Sequence, residues 1–220
     1  DEDIINILKR HGFIDISGGG EAPIYVVEMK SPIVLFRDVE TCIKTPLSKN
    51  PRVIKALDDA HDKLLNTFNQ LFPGQLILSF NTDTVYSRIV NMVAAENGVP
   101  TEPDPLKRRG PYMSVPYGKA LSDVAFPNTV TKALRTDKYF KDDLSGYAIR
   151  EYRGYAPLQD QIRTIKSFAR PAILVDDLLH SGQRLNQIVP LMKDEGIDIR
   201  KVVVGVLTGR ALDDMKNSGI

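Results

Sequence analysis

The chain has 220 residues, 42 % hydrophobic and 26 % charged, the composition of a domain with a core rather than of a disordered or fibrous chain. Its formal net charge is +1 and its densest basic run is only Lys107-Arg108-Arg109, so the basic stripe expected of a nucleic-acid binder is missing. The single cysteine, Cys42, excludes an internal disulfide framework and points to a reducing compartment. No apolar run approaches the ~20 residues that span a bilayer, and no charged-then-apolar signal segment opens the chain. The expected setting is the cytoplasm, away from membranes.

In chain order, a short helix is expected over Asp3–His11, stopped by Gly12. A turn follows at Ser17–Gly20, then a strand over Pro23–Val27 and a second apolar run over Pro32–Phe36. Asn50 as N-cap and Pro51 at the first helical position open the clearest helix. Its stripe of Val53, Leu57, Leu64, Phe68 and Leu71 has helical spacing and reads as core, and Pro73-Gly74 ends it.

From Gln75 the rhythm becomes strand, loop, helix. Strand Leu76–Phe80 is followed by helix Thr84–Asn97, a polar loop over Thr101–Arg109, and a strand over Tyr112–Val115. Ala120–Ser145 reads as a long irregular stretch and Gly146–Tyr152 as a strand. After Pro157, Leu158, Ile162, Ile165 and Phe168 mark a helix. Strand Ala172–Val175, helix Gln183–Glu195, strand Lys201–Leu207 and a helix from Ala211 complete the series. Pro190 predicts a bend near Gln187–Pro190, or a break of that helix into two pieces.

Alternating strands and helices predict an α/β fold with a mostly parallel sheet flanked by helices. The strands at Leu76, Ile173 and Val202 are apolar throughout and are expected side by side in it. Residues 1–74 form an N-terminal α+β appendage in this reading, with strands and a long helix, and residues 75–220 the core. The chain begins without Met and ends at Asn217-Ser218-Gly219-Ile220, which leaves open a longer protein and a sheet cut at its carboxyl end. Ligands of such sheets bind beyond the carboxyl ends of the strands. That singles out Asn81, Thr82, Asp83 and Thr84, then Asp176–Arg184, then Thr208–Arg210 with its cation Arg210.

The informative segment runs from Pro171 to Arg184. An apolar strand meets two adjacent acids, Asp176 and Asp177, and Ser181-Gly182 follows just before a helix. Two side-by-side carboxylates repel, and burying them without partners is costly. A ribose offers adjacent hydroxyl donors to acids so placed. Beyond them, free N–H groups at a helix start form an anion site, and Gly182 lets the backbone approach a phosphate. Acids for a sugar diol and a nest for its phosphate describe a ribose 5-phosphate site.

This stretch resembles the phosphoribosyl-pyrophosphate motif of the type I phosphoribosyltransferases, in which an apolar strand ends in two acids and a Thr-Gly-x-Thr turn follows. Val175-Asp176-Asp177-Leu178-Leu179 is especially similar to the adenine-specific branch, and the segment also looks like the pyrimidine-operon regulators that keep this fold. The resemblance implies that Asp176 and Asp177 hold the ribose hydroxyls and a Mg²⁺ that accompanies the pyrophosphate. It implies that His180, Ser181, Gly182, Gln183 and Arg184 form the 5-phosphate loop, with His180 positioned to move a proton. Asn81-Thr82-Asp83-Thr84 would be the pyrophosphate loop, without the glycines that family members often have there. Ser181 stands for the first Thr and Arg184 for the second. Pro116–Lys138 would be the mobile active-site loop, its Lys119, Lys132 and Arg135 facing pyrophosphate.

The function implied is binding of phosphoribosyl pyrophosphate or a nucleoside 5′-monophosphate, with transfer of phosphoribosyl to a nitrogenous base. The alternative is a non-catalytic nucleotide-sensing module, alone or within a larger protein. Dimers are common in the family, so a homodimer stays open. The acceptor base is not legible. Three scattered histidines, His11, His61 and His180, with one cysteine do not make a zinc site, and they supply no His-x-Gly-His of the cytidylyltransferases. With 43 residues after Asp177, a receiver-domain reading fails unless the chain is cut short of a longer protein.

Overall fold

The structure, a computed structural model, describes residues 33–38, 43, 45–104, 110–118, 121, 123–143 and 145–217. The helix expected over Asp3–His11, the turn and the strand after it lie outside the described residues, as do Cys42, Lys107–Arg109 and Lys119. The chain divides into two compact units, Asp1–Val85 and Tyr86–Ile220.

In the first unit, strand β1 (Ile33–Phe36) precedes a 3-10 turn at Leu47–Lys49, helix α1 (Pro51–Leu71) and strand β2 (Ile77–Phe80). Helix α1 opens as its sequence dictates, with the Asn50 side chain accepting the Arg52 N–H at 3.0 Å and Pro51 in the first turn. Its apolar stripe, however, is not core. Val53, Leu57 and Phe68 are half-buried, while Leu64 and Leu71 are exposed. A periodic stripe says which face will pack, not how fully; among the described elements α1 packs chiefly on the 3-10 turn and β2.

A second correction concerns β2. It pairs in parallel with β1, Ile77 opposite Ile33 through Phe80 opposite Phe36, in a sheet of two strands. It does not join the strands at Ile173 and Val202. An apolar tetrapeptide does not specify its partner, and here the partner is the equally apolar Ile33–Phe36. Beyond β2, helix α2 (Thr82–Asn97) begins. There Thr82 donates through its N–H and its hydroxyl to the Asp38 carboxylate. Burial raises the Asp38 pKa, but these bonds more than offset it and hold the carboxyl below its ordinary value.

The second unit holds β3 (Met113–Pro116), β4 (Val130–Thr131), β5 (Thr136–Phe140), β6 (Tyr147–Glu151), helix α3 (Leu158–Lys166), β7 (Ala172–Leu179), helix α4 (Gln183–Asp194), β8 (Ile199–Leu207) and helix α5 (Gly209–Asn217). Four of these strands form one parallel sheet in the order β4-β3-β7-β8, and β5 with β6 makes a small antiparallel hairpin. The α/β class and the parallel sheet flanked by helices follow the sequence pattern. The stretch over 120–145 does not, since it contributes β4 and β5. Thr136–Phe140 reads Thr-Asp-Lys-Tyr-Phe, so only its antiparallel partner Tyr147–Glu151 makes it a strand.

The core lies where β3 and β7 meet α3 and α4. Met113, Val115, Ile162, Leu174, Leu185, Ile188 and Met192 are fully enclosed. Each such side chain contributes about 1.5–3 kcal/mol of hydrophobic free energy. Helix α4 runs unbroken through Pro190, so the break is not found. Pro190 withholds a bond from the Asn186 carbonyl, and both residues are exposed, where water can take the place of the lost donor. Gln187 of the same helix accepts the Ile149 N–H at 2.8 Å and fastens the hairpin to it.

Among the described residues no helix is long and apolar enough to cross a membrane.

Candidate functional site

Strand β7 extends four residues past Val175, so Asp176 and Asp177 sit inside the ladder, Asp176 opposite Val204 of β8. Apolar Leu178 and Leu179 keep the strand going, which the sequence reading had stopped at the acids. On the β3 side, the Tyr117 N–H bonds to Val175 O at 3.1 Å, which brings Tyr117 and Gly118 beside the acids. On the β8 side, the Thr208 N–H reaches Leu179 O and its hydroxyl donates to His180 O. The carboxyl ends of β3, β7 and β8 therefore converge, as the rule for parallel sheets requires.

Asp176 is only 3 % exposed. Its Oδ1 accepts the Asp177 N–H at 3.0 Å, and its Oδ2 lies 3.7 Å from an Arg184 guanidinium nitrogen. Gly118 presses on the same carboxyl, since a Cβ at Gly118 would stand 1.7 Å from Oδ1. Burial first, then a hydrogen bond with Asp177 and its charge, push the Asp176 pKa from 3.8 up to about 8, and Arg184 offsets this only in part. The 3.7 Å contact suggests an ion pair, whereas the raised pKa describes a carboxyl largely neutral near pH 7. The raised direction carries more weight, because 3.7 Å is too long for a tight charge-assisted bond and the burial is nearly complete.

Two further polar atoms at this place have no hydrogen-bond partner, the Tyr117 hydroxyl and Arg184 Nε. Burial, with the Asp176 charge adding to it, lifts the Tyr117 phenol well above its ordinary value. A buried polar group left unmet costs about 1–3 kcal/mol, which makes such a pair unusual in a purely structural core.

After β7, His180 is exposed, Ser181 half-buried and Gly182 buried. Gly182 is the N-cap of α4 at φ +63°, a left-handed conformation that suits glycine, and no side chain caps the helix there. The N–H groups of the first turn of α4 are left for an outside acceptor. Gln183 is exposed, and the Arg184 side chain, 18 % exposed, folds back from that turn over Asp176. The predicted cluster Asp176, Asp177, Ser181, Gly182 and Arg184 is thus one neighbourhood.

The other expected residues stand differently. Asn81, Thr82, Asp83 and Thr84 belong to the first unit, and Thr82 is buried there on Asp38. Arg210 on α5 lies 4.0 Å from Asp214, whose Cβ would be 4.0 Å from a Cβ placed on Gly182. Arg135 binds Asp123 at 2.6 Å and lies over the Tyr155 ring, and with Lys132 it lines a cleft of about 490 Å³. That cleft shares no residue with the Asp176 neighbourhood. The sequence reading missed Tyr117 and Gly118. A glycine three residues past the apolar run Tyr112–Val115 was the available signal, because a parallel neighbour's carboxyl end is where a close approach falls.

A divalent cation fits Asp176 poorly. Mg²⁺ needs a near-octahedral shell at about 2.0–2.1 Å and keeps several waters. The enclosed Asp176 carboxyl already meets the Asp177 N–H, Gly118 and Arg184. Among the described residues no three His, Cys, Asp or Glu side chains gather as a metal site. Asp177 is half-buried, and its side chain shares a hydrogen bond with the Asp176 carboxyl.

Comparison with protein-family models, with curated proteins and with solved structures finds no match to this chain.

Proposed function

We propose that this is a phosphoribosyltransferase-like protein, its second unit the core and its N-terminal part an appendage, which binds phosphoribosyl pyrophosphate or a nucleoside 5′-monophosphate. The observation that carries the reading is the junction of β7 and α4. An acid pair runs into a turn whose left-handed Gly182 opens a helix with no side-chain cap. In this reading Asp177 accepts hydrogen bonds from the ribose diol. The N–H groups at the start of α4, with Ser181 and Arg184, hold the 5-phosphate.

As a transferase, the protein breaks the bond from ribose C1 to pyrophosphate and forms a bond from C1 to a nitrogen of the base, while pyrophosphate leaves. Charge builds on the sugar as the leaving group departs, so catalysis rests on holding diol and phosphate still while C1 becomes cationic. A Mg²⁺ arriving with the pyrophosphate would offset the charge of that leaving group. His180, exposed just after β7, exchanges a proton with the base in this reading.

One observation favours a second reading, a nucleotide-sensing module without turnover. Arg184 engages Asp176, one of the two acids that the resemblance assigns to the ribose. Release of pyrophosphate on mixing phosphoribosyl pyrophosphate, Mg²⁺ and a panel of free bases separates the two. The transferase reading expects base-dependent release. Binding without release in any mixture leaves the sensor, and no binding contradicts both.

A further inference from the structure

We infer that Ser79, with His61 as its base, is a nucleophile that accepts an acyl group from a small ester. The pair lies in the first unit and is independent of the proposed sugar-phosphate site.

The first observation is an inversion of burial on α1. Its apolar Leu64 and Leu71 are 43 % and 64 % exposed, while the His61 side chain is only 9 % exposed. Packing by hydrophobicity alone would enclose the leucines first. The imidazole instead meets β2, where its Nε2 lies 3.4 Å from Ser79 Oγ. Ser79 itself is exposed, so its hydroxyl is open to a reactant from solvent.

The second observation is the other ring nitrogen. His61 Nδ1 is buried with no hydrogen-bond partner among the described residues, and Asp62 Oδ1 stands 3.7 Å from it. That is too long for a hydrogen bond, but the carboxylate charge favours a proton on Nδ1. Nε2 is then the unprotonated nitrogen that can take the Ser79 proton. Nucleophile, base and orienting acid thus stand in the spatial order that activates a hydroxyl, an order recognised by geometry and not by chain position. Spacings this loose are common in such pairs before substrate binds.

The third observation supplies a donor for the oxyanion. The Phe80 carbonyl faces β1, since it accepts the Arg37 N–H at 2.8 Å. Adjacent residues of a strand turn their backbone groups to opposite edges. The Ser79 N–H therefore faces the other edge of β2, where no strand pairs among the described residues. The N–H of the attacking serine is one of the donors that such an oxyanion uses.

In the step itself, Ser79 Oγ bonds to the ester carbonyl carbon as its proton passes to His61 Nε2. The bond from that carbon to the alcohol oxygen breaks, and the alcohol leaves with the proton. Water, deprotonated by the same nitrogen, then displaces Ser79, so that ester and water become acid and alcohol. Asp62 touches no reacting atom and is a positioning residue.

The experiment treats the whole chain with p-nitrophenyl acetate, follows release of p-nitrophenolate and maps acetyl groups by peptide mass spectrometry. Wild type is expected to carry acetyl on Ser79. Ser79→Ala should lose that adduct at an unchanged melting temperature, because the hydroxyl it removes is exposed. His61→Ala should slow acetylation of Ser79 about 100-fold, the scale of general-base catalysis. Added imidazole should restore part of that rate, which it would not do for a variant that merely fails to fold. Asp62→Asn should slow it about two- to fivefold, as loss of an exposed ion pair does, and Asp62→Glu should keep most of the rate. Wild type left unmodified at Ser79, or acetylated only on other residues, overturns the inference without recourse to any variant. Equal acetylation of Ser79 in His61→Ala and wild type overturns it too, and equal rates in Asp62→Asn and wild type overturn the part given to Asp62.

Discussion

Asp176→Asn is expected to be more stable than wild type at pH 8 and above, with the gap closing toward pH 5. The buried Asp176 carboxyl has its pKa raised from 3.8 to about 8 by burial and by Asp177. Between those values the folded protein keeps a proton that the unfolded chain releases. The stability tied to that proton is therefore fully present below about pH 4, declines as pH rises, and is gone above about pH 8. A shift of one unit corresponds to about 1.4 kcal/mol, so the loss is on the order of a few kcal/mol. Asparagine keeps the shape and cannot ionise. Denaturant melts of both proteins from pH 5 to 9 should show wild type losing stability relative to the variant. Parallel curves would mean that Asp176 ionises at its ordinary pKa and that the site is wetter than its geometry suggests.

Gly118→Ala is expected to cost about 3 kcal/mol of folding stability, near the upper end of ordinary overpacking. Its Cβ would overlap Asp176 Oδ1 at 1.7 Å and Cγ at 2.7 Å. Asp176 has a short side chain and is 3 % exposed, so its carboxyl cannot swing away into solvent at little cost. The cost belongs to one contact, which a double-mutant cycle isolates. In an Asp176→Ala background the carboxyl is gone, and Gly118→Ala should cost under about 1 kcal/mol. The same cost in both backgrounds would place the strain elsewhere.

The sequence made the periodic and punctuated parts of this fold legible. Asn50-Pro51 marked the start of α1, Leu158–Ile165 the face of α3, and the apolar runs at Ile173 and Val202 two adjacent parallel strands. What it could not show depends on partners distant in the chain. Ile77–Phe80 has no feature that chooses Ile33–Phe36 over the main sheet, and the α1 stripe does not say how deeply its side chains are buried. In the site, the order of acids, glycine and helix start was legible because each has a local physical role. The burial of Asp176 was not, because it arises from Gly118 and Arg184 closing on it from two sides.

The central claim, a ribose-phosphate site at the junction of β7 and α4, is tested most directly by titrating phosphoribosyl pyrophosphate and nucleoside 5′-monophosphates, with Mg²⁺ present, into wild type and Asp177→Asn. Asp177 is the more exposed of the two acids, and each charge-assisted bond it gives up is worth about 1.5–3 kcal/mol. The account predicts saturable binding to wild type and a loss of about one to two orders of magnitude in the variant, with its melting temperature nearly unchanged. Wild type that binds none of these ligands, or a variant that binds them equally well, would contradict it.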